Sequence, residues 1–224
     1  MILGASVGAY LTKVRSRARL GGRRPMRRRE EVPLRTLSGG ADDARRRLKL
    51  LHDAGARLGT TLDVTQTAEE LAQAAVPAFA DFVTVDLTEP MPDGEESSPE
   101  GDGRVRRVAV SGVRDDFPFY PAGLQFVFHP ATPQAAGLGG GPAVLAARLD
   151  DVPGWRAQDP VRARRIIGYG VHSLIIVPLR VRGTVFGVAT FWRSRQPAPF
   201  EVDDLSLAEE LGAHAAVCID RAHS

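Results

Sequence analysis

The sequence predicts an α+β domain with a central antiparallel sheet, on three observations. Apolar residues recur at three- and four-residue steps over residues 42–58, 63–79 and 200–222, the spacing of one helix face. Between the second and third of these stretches the apolar period shortens to two, or to a nearly continuous run, as strands require. The order is helix, helix, strand, strand, mixed insert, strand, strand, helix, without the βαβα alternation of a parallel nucleotide-binding sheet.

The first helix is expected over residues 42–58, with Leu48, Leu51 and Leu58 beside Ala44 and Gly55 on one stripe, ending at Gly59. Asp63 caps a second helix, and Gln66 three residues on completes a capping-box pattern. Val64, Leu71, Ala75, Val76 and Phe79 form its apolar face. Residues 81–87 alternate, with Val83, Val85 and Leu87 on one side of a strand. A polar, Pro/Gly-rich loop over 90–103 leads to a second strand, 104–111, with Val108 and Val110 on one face. Residues 112–170 read as loop-rich, with a short helix near 131–138, an extended piece near 143–147 and a helix from Pro160 to about Gly168 capped by Asp159. His172 to Leu179 (HSLIIVPL) is apolar enough for a central strand. Arg182-Gly183 turns it into an antiparallel partner, Thr184 to Trp192. Leu205, Ala208, Leu211, Ala215, Cys218 and Ala222 mark the last helix.

Of the 224 residues 43% are hydrophobic, which suits one domain of about 180 residues and a tail. Two domains are therefore assigned, a disordered arginine-rich tail over 1–40 and a folded domain over 41–224. The tail has no apolar periodicity, so it cannot bury enough surface to offset its ordering entropy. It holds ten basic and two acidic groups, about +8, which leaves about −6 for the rest of a chain whose net charge is +2. An acidic body is a poor nucleic-acid platform, because phosphates dominate such binding. The tail itself reads as a solvated segment or early-start leader, or else as an arm for nucleic acid or an anionic membrane. No run approaches the roughly 20 apolar residues of a membrane span, and the apolar start lacks the charge order of a secretory signal. A cytoplasmic location is expected. Cys218 is the single cysteine and the five histidines are scattered, so no disulfide or Cys/His metal cage is expected.

The stretch HSLIIVPL, the hairpin glycine Gly183, then Phe186-Gly187-Val188 and Phe191-Trp192 resemble the core hairpin of GAF domains. Phe200 with Asp203-Asp204-Leu205 resembles the end of the same domain. Residues 59–87 (GTTLDVTQTAEELAQAAVPAFADFVTVDL) are similar to the GAF domains that precede the catalytic domain in actinobacterial phosphatases of the sporulation stage II protein E type, which are metal-dependent serine/threonine phosphatases. The resemblance covers about residues 42–222 and is faint over 112–160. The catalytic motifs of that family would lie beyond Ser224, so the resemblance implies a sensing or dimerising module and no enzyme activity. It also implies a GAF-like arrangement, with terminal helices on one sheet face and a ligand pocket under loops and short helices on the other.

The acidic pairs Asp42-Asp43, Asp115-Asp116, Asp150-Asp151 and Asp203-Asp204 read as helix starts and polar loops, not metal sites. Phe200 and Asp204 match part of the cyclic-nucleotide signature of some GAF domains, but the Asn-Lys pair before them is missing. Cys218 lies on an apolar helix stripe, as a small core residue does. No cofactor is expected, and no Gly-x-Ser-x-Gly elbow exists for a catalytic triad. The insert holds Phe117, Phe119, Tyr120, Phe126, Phe128, Trp155 and Tyr169. Aromatic, mostly apolar concavities are what small-molecule sites look like, so Phe117, Tyr120, Phe126, Trp155, Ile166 and His172 are the candidate ligand-binding residues. The alternative is that these aromatics simply close the core. The expected partners are an unidentified small molecule, a second copy of the chain through the Ala- and Leu-rich terminal helices, and a protein phosphatase or kinase. The competing function is a ligandless dimerisation module or the remnant of a phosphatase.

Overall fold

The computed structural model describes residues 34–59, 63–89 and 103–223. Residues 1–33 of the expected tail and nearly all of the 90–103 loop lie outside the described residues.

Helix α1 spans Leu34–Arg57, so the boundary expected at Ser38-Gly39-Gly40 falls inside a helix. Leu50, Ala54 and Leu58 are buried and anchor its C-terminal half. Once anchored, a helix propagates at one hydrogen bond per added residue, which offsets the roughly 1 kcal/mol that each glycine costs. Gly59, at φ 81, ends it, and a Cβ there would lie 2.7 Å from the Cys218 Sγ. Helix α2 is Val64–Ala75. Asp63 caps it by accepting from the Gln66 N–H at 2.9 Å. The reciprocal half of the box is not made, since the Gln66 amide turns to Glu70 instead. The helix stops four residues before the expected Phe79. Val76 precedes a proline and is extended, as the ring of the next residue demands.

Among the described residues six strands follow: β1 Phe82–Thr88, β2 Arg104–Gly112, β3 Gln125–Val127, β4 Val144–Ala146, β5 Ser173–Val181 and β6 Thr184–Arg193. Their order is β3-β2-β1-β6-β5-β4, and every pairing is antiparallel. Arg182 and Gly183 both take positive φ, 51 and 89, which gives the β5–β6 hairpin the right twist. The insert between β2 and β5 contains β3, helix α3 (Pro133–Leu138), β4, a 3-10 turn at Leu149–Asp151, helix α4 (Trp155–Gln158) and helix α5 (Pro160–Gly168). Strand β3, the 3-10 turn and α4 are too short to leave a periodic signal. Helix α6, Val202–His223, closes the chain.

The strand alternation sorts two cores. Val83, Val85, Leu87, Ile175, Val177, Leu179, Ala189 and Phe191 meet α1, α2 and α6 in one continuous cluster. Phe82, Leu174, Ile176 and Trp192 point the other way and meet Phe119, Leu149, Trp155, Ala163 and Ile166 of the insert. The terminal helices thus pack on one face and the insert covers the other. A bulge between Val85 and Asp86 changes the β2 register. Val108 packs toward the helix-side core, whereas Val110 pairs with Thr84 and shares its opposite face. The single face expected for Val108 and Val110 is therefore split by the extra residue.

Among the described residues no helix is long and apolar enough to cross a membrane, and no cluster of His, Cys, Asp or Glu could hold a metal.

Candidate functional site

The alternation that buries Val83 and Val85 under the helices aims Thr84 and Asp86 at the insert. Thr190 stands directly across from Thr84 on β6. The bulge then turns Arg107 onto the same face, opposite Asp86. These side chains floor a cavity of about 70 Å³ whose walls are Phe119, Tyr120, Phe126, Phe128, Trp155 and Trp192, with Gln134 and Arg162 above them.

The floor is built around a buried ion pair. Arg107 Nε and Nη2 donate to the two Asp86 oxygens at 2.8 and 2.9 Å. Its Nη1 donates to the Tyr120 carbonyl at 3.1 Å. Burial pushes the Asp86 carboxyl up from its ordinary range, and the neighbouring Arg107 charge opposes that rise. The Arg107 guanidinium also lies over the Tyr120 and Phe126 rings, 5.9 and 5.4 Å from their centres.

The rim is held by Asp159. Its Oδ1 caps α5 by accepting from the Arg162 N–H at 2.9 Å, and its Oδ2 accepts from the Tyr120 hydroxyl at 3.2 Å. The Arg162 backbone N–H, more than any other group, holds the Asp159 carboxyl below its ordinary range. Burial raises the Tyr120 hydroxyl, and Asp159 adds to that. Arg162 stacks over Tyr120 at 4.2 Å. Gln158 ties α4 to the β3 end by donating to the Val127 carbonyl at 3.0 Å and accepting from the His129 N–H.

Of the expected site residues, Tyr120, Phe126, Trp155 and Ile166 line this cavity. Phe117 packs beside the insert-side core without reaching it. His172 is directed elsewhere: its Nε2 is 2.8 Å from the Gln196 carbonyl oxygen, where it braces the loop after β6. The polar floor was missed, although β1 carried a signal for it. Alternation in FVTVDLT places Thr84 and Asp86 opposite an apolar row, and a carboxylate in so apolar a strand requires a buried cationic partner. That Arg107 is this partner depends on the bulge. Cys218 packs in the helix-side core, across the sheet from the cavity, and burial raises its thiol pKa.

One strand joins the cavity to the helix layer. Trp192 walls the cavity and donates from Nε1 to Thr84 Oγ1 at 3.3 Å. Arg193, the next residue, donates to the carbonyls of Phe79 and Pro199 and lies 4.1 Å over the Phe200 ring. It pairs with Asp204 at 3.3 Å. Arg47 of α1 reaches Asp203 and Asp204 of α6 at 3.2 and 3.7 Å. The Asp81 carboxylate, at the foot of β1, accepts three successive backbone N–H groups from Ser194, Arg195 and Gln196.

No curated protein matches the chain in sequence. Several solved structures share its fold. One is the GAF domain of a phosphoenolpyruvate-protein phosphotransferase from Coxiella burnetii, at 14% identity and TM-score 0.60, covering 80% of this chain and 96% of that one. Another is a free methionine-R-sulfoxide reductase from Neisseria meningitidis in complex with its substrate, at 16% identity and TM-score 0.58, with 79% and 90% covered. A segment of a methyl-accepting chemotaxis protein aligns at 17% identity and TM-score 0.60, with 76% and 96% covered. At such identities the likeness is one of fold. The family evidence is more direct, because residues 60–219 match the family model described as GAF domain. The chain belongs to the GAF domain family.

Proposed function

We propose that the chain is a signal-input module that binds a small molecule between its sheet and insert. The module passes the change to α1 and α6 without turning the ligand over. The observation that carries this reading is the Trp192–Arg193 step. A shift of Trp192 by a ligand acts directly on the backbone that positions Arg193, and Arg193 holds the loop and the first turn of α6. The ligand must bind one arrangement of these helices better than the other, because equal affinity shifts nothing. The likeness of residues 59–87 to phosphatase-linked domains supports a protein phosphatase, or its opposing kinase, as the output partner.

The test is a thermal-shift screen of nucleotides and metabolites on the full chain, followed by hydrogen exchange over residues 196–222 for each hit. A stabilising compound that slows exchange there supports the reading. A screen without hits, or hits that leave α6 unchanged, would remove it.

A second reading, a dimerisation module, is favoured by Leu48 and Val202. They are 72% and 71% exposed, and each adjoins one member of the Arg47–Asp203 ion pair that links the two terminal helices. Large apolar side chains this open beside a helix–helix contact suit a second copy of the chain.

A further inference from the structure

The cavity's charges are already matched within its own walls. Asp86 is paired twice by Arg107. Asp159 stands 3.5 Å from Arg162. An added anion would face the Asp86 carboxylate, and an added cation would compete with Arg107 for the Tyr120 and Phe126 rings. An added cation would leave water without a free counter-charge to receive it, which is the expensive case of burial, and an added anion would reach Arg162 only in competition with Asp159.

Three lining atoms lack a hydrogen-bond partner among the described residues: the neutral Gln134 Oε1 and Thr190 Oγ1, and the Nε of Arg162, whose charge Asp159 meets at 3.5 Å. Gln134 and Thr190 are only 6% and 1% exposed. Native interiors rarely leave such atoms unpaired. Both line the same cavity, one from above on α3 and one from the floor. The amide oxygen requires a donor. The hydroxyl supplies a proton to an acceptor. The surrounding rings favour a flat partner. At about 70 Å³ the space is roughly half that of an engineered cavity of about 150 Å³ that accepts benzene, so the ligand, or the part of it that enters, is a group of a few heavy atoms.

We infer that this cavity takes an uncharged amide-type group, with an N–H that donates to Gln134 and a carbonyl that accepts from Thr190, and that it excludes ions of either sign. This rests on the cavity being the ligand site proposed above. Because Trp155 and Trp192 both line it and are the two tryptophans of the chain, their two indole N–H signals report on its occupancy.

The experiment titrates the 15N-labelled full chain with four near-isosteric probes: acetamide, acetone, acetate and acetamidinium. Acetamide is expected to move both indole signals saturably, and the other three to bind about tenfold more weakly or worse, the effect of one lost hydrogen bond to a buried group or of an uncompensated charge. Thr190→Val and Gln134→Leu are each expected to weaken acetamide by about tenfold at an unchanged fold, checked by circular dichroism. Should one variant fail to fold, the other carries the test. Acetate or acetamidinium binding as tightly as acetamide overturns the ligand class while leaving the site standing. If no probe moves the indole signals, and no hit from the metabolite screen does either, the site itself falls.

Discussion

Arg107 reaches Asp86 because β2 holds one residue more than β1 between their flanking pairs, Val85 with Ala109 and Asp86 with Arg107. The pair is almost fully buried, with the two side chains 6% and 0% exposed. A buried ion pair is a weak source of net stability, yet breaking it is expensive because one charge is left uncompensated.

Arg107→Met should therefore destabilise the fold by about 3–5 kcal/mol at neutral pH. Burial already raises the Asp86 pKa, and Arg107 is what opposes that rise. With the guanidinium gone the rise is larger. A carboxyl with a raised folded pKa favours the fold when protonated and loses that contribution as pH climbs through the folded value. The variant's deficit should thus shrink as pH falls from about 7.5 toward 5. Urea midpoints at several pH values check this, and a deficit that grows toward acid would contradict it.

Arg193 gathers carbonyls from two separate turns, Phe79 on one side and Ala198 and Pro199 on the other. Arg193→Met keeps the apolar stem and removes every one of these bonds. A loss of about 2–4 kcal/mol is expected, with the largest rise in hydrogen exchange at residues 194–206. Uniform exchange across the domain would show that the guanidinium does not act as a local latch.

Gly187 lies opposite Leu87 where β6 pairs with β1. A Cβ there would come within 2.1 Å of the Asp86 carbonyl oxygen and 2.8 Å of the Leu87 Cα. Backbone cannot yield as a side-chain tip can. Gly187→Ala should cost about 3 kcal/mol or more in chemical denaturation. A variant as stable as the parent would mean that the two strands part more readily than their pairing suggests.

Leu48→Glu tests the proposed dimer. Light scattering should find the parent at twice the 24.1 kDa chain mass and the variant at that mass, without a change in helix content. A parent that stays monomeric at high concentration removes the dimer.

The order of the elements was legible because it rests on apolar rhythm, which tertiary packing only reinforces. HSLIIVPL and its partner became β5 and β6, and the terminal helices took the face opposite the insert. Asp159 and Pro160 marked the start of α5 because their cap chemistry is local. The lining of the candidate cavity was legible by half. Tyr120, Phe126, Trp155 and Ile166 advertise themselves as large side chains in a loop-rich region. Thr190 and Gln134 carry no local mark, since their significance is that Thr190 Oγ1 and Gln134 Oε1 find no partner among the described residues. Arg107 was hidden by a bulge, which is a property of two strands together. His172 falls outside the cavity lining, and a histidine at a strand start looks the same in sequence whether it faces a cavity or, as here, a carbonyl of the next loop.

Strands β3 and β4 form the two margins of the sheet, and each is only three residues long. A foreign strand laid against either side would find at most a few free amides, too little for a ladder to grow. Polymerisation by strand addition is blocked at both borders. Among the described residues, the helices and the aromatic cover are the two broad surfaces left for a binding partner.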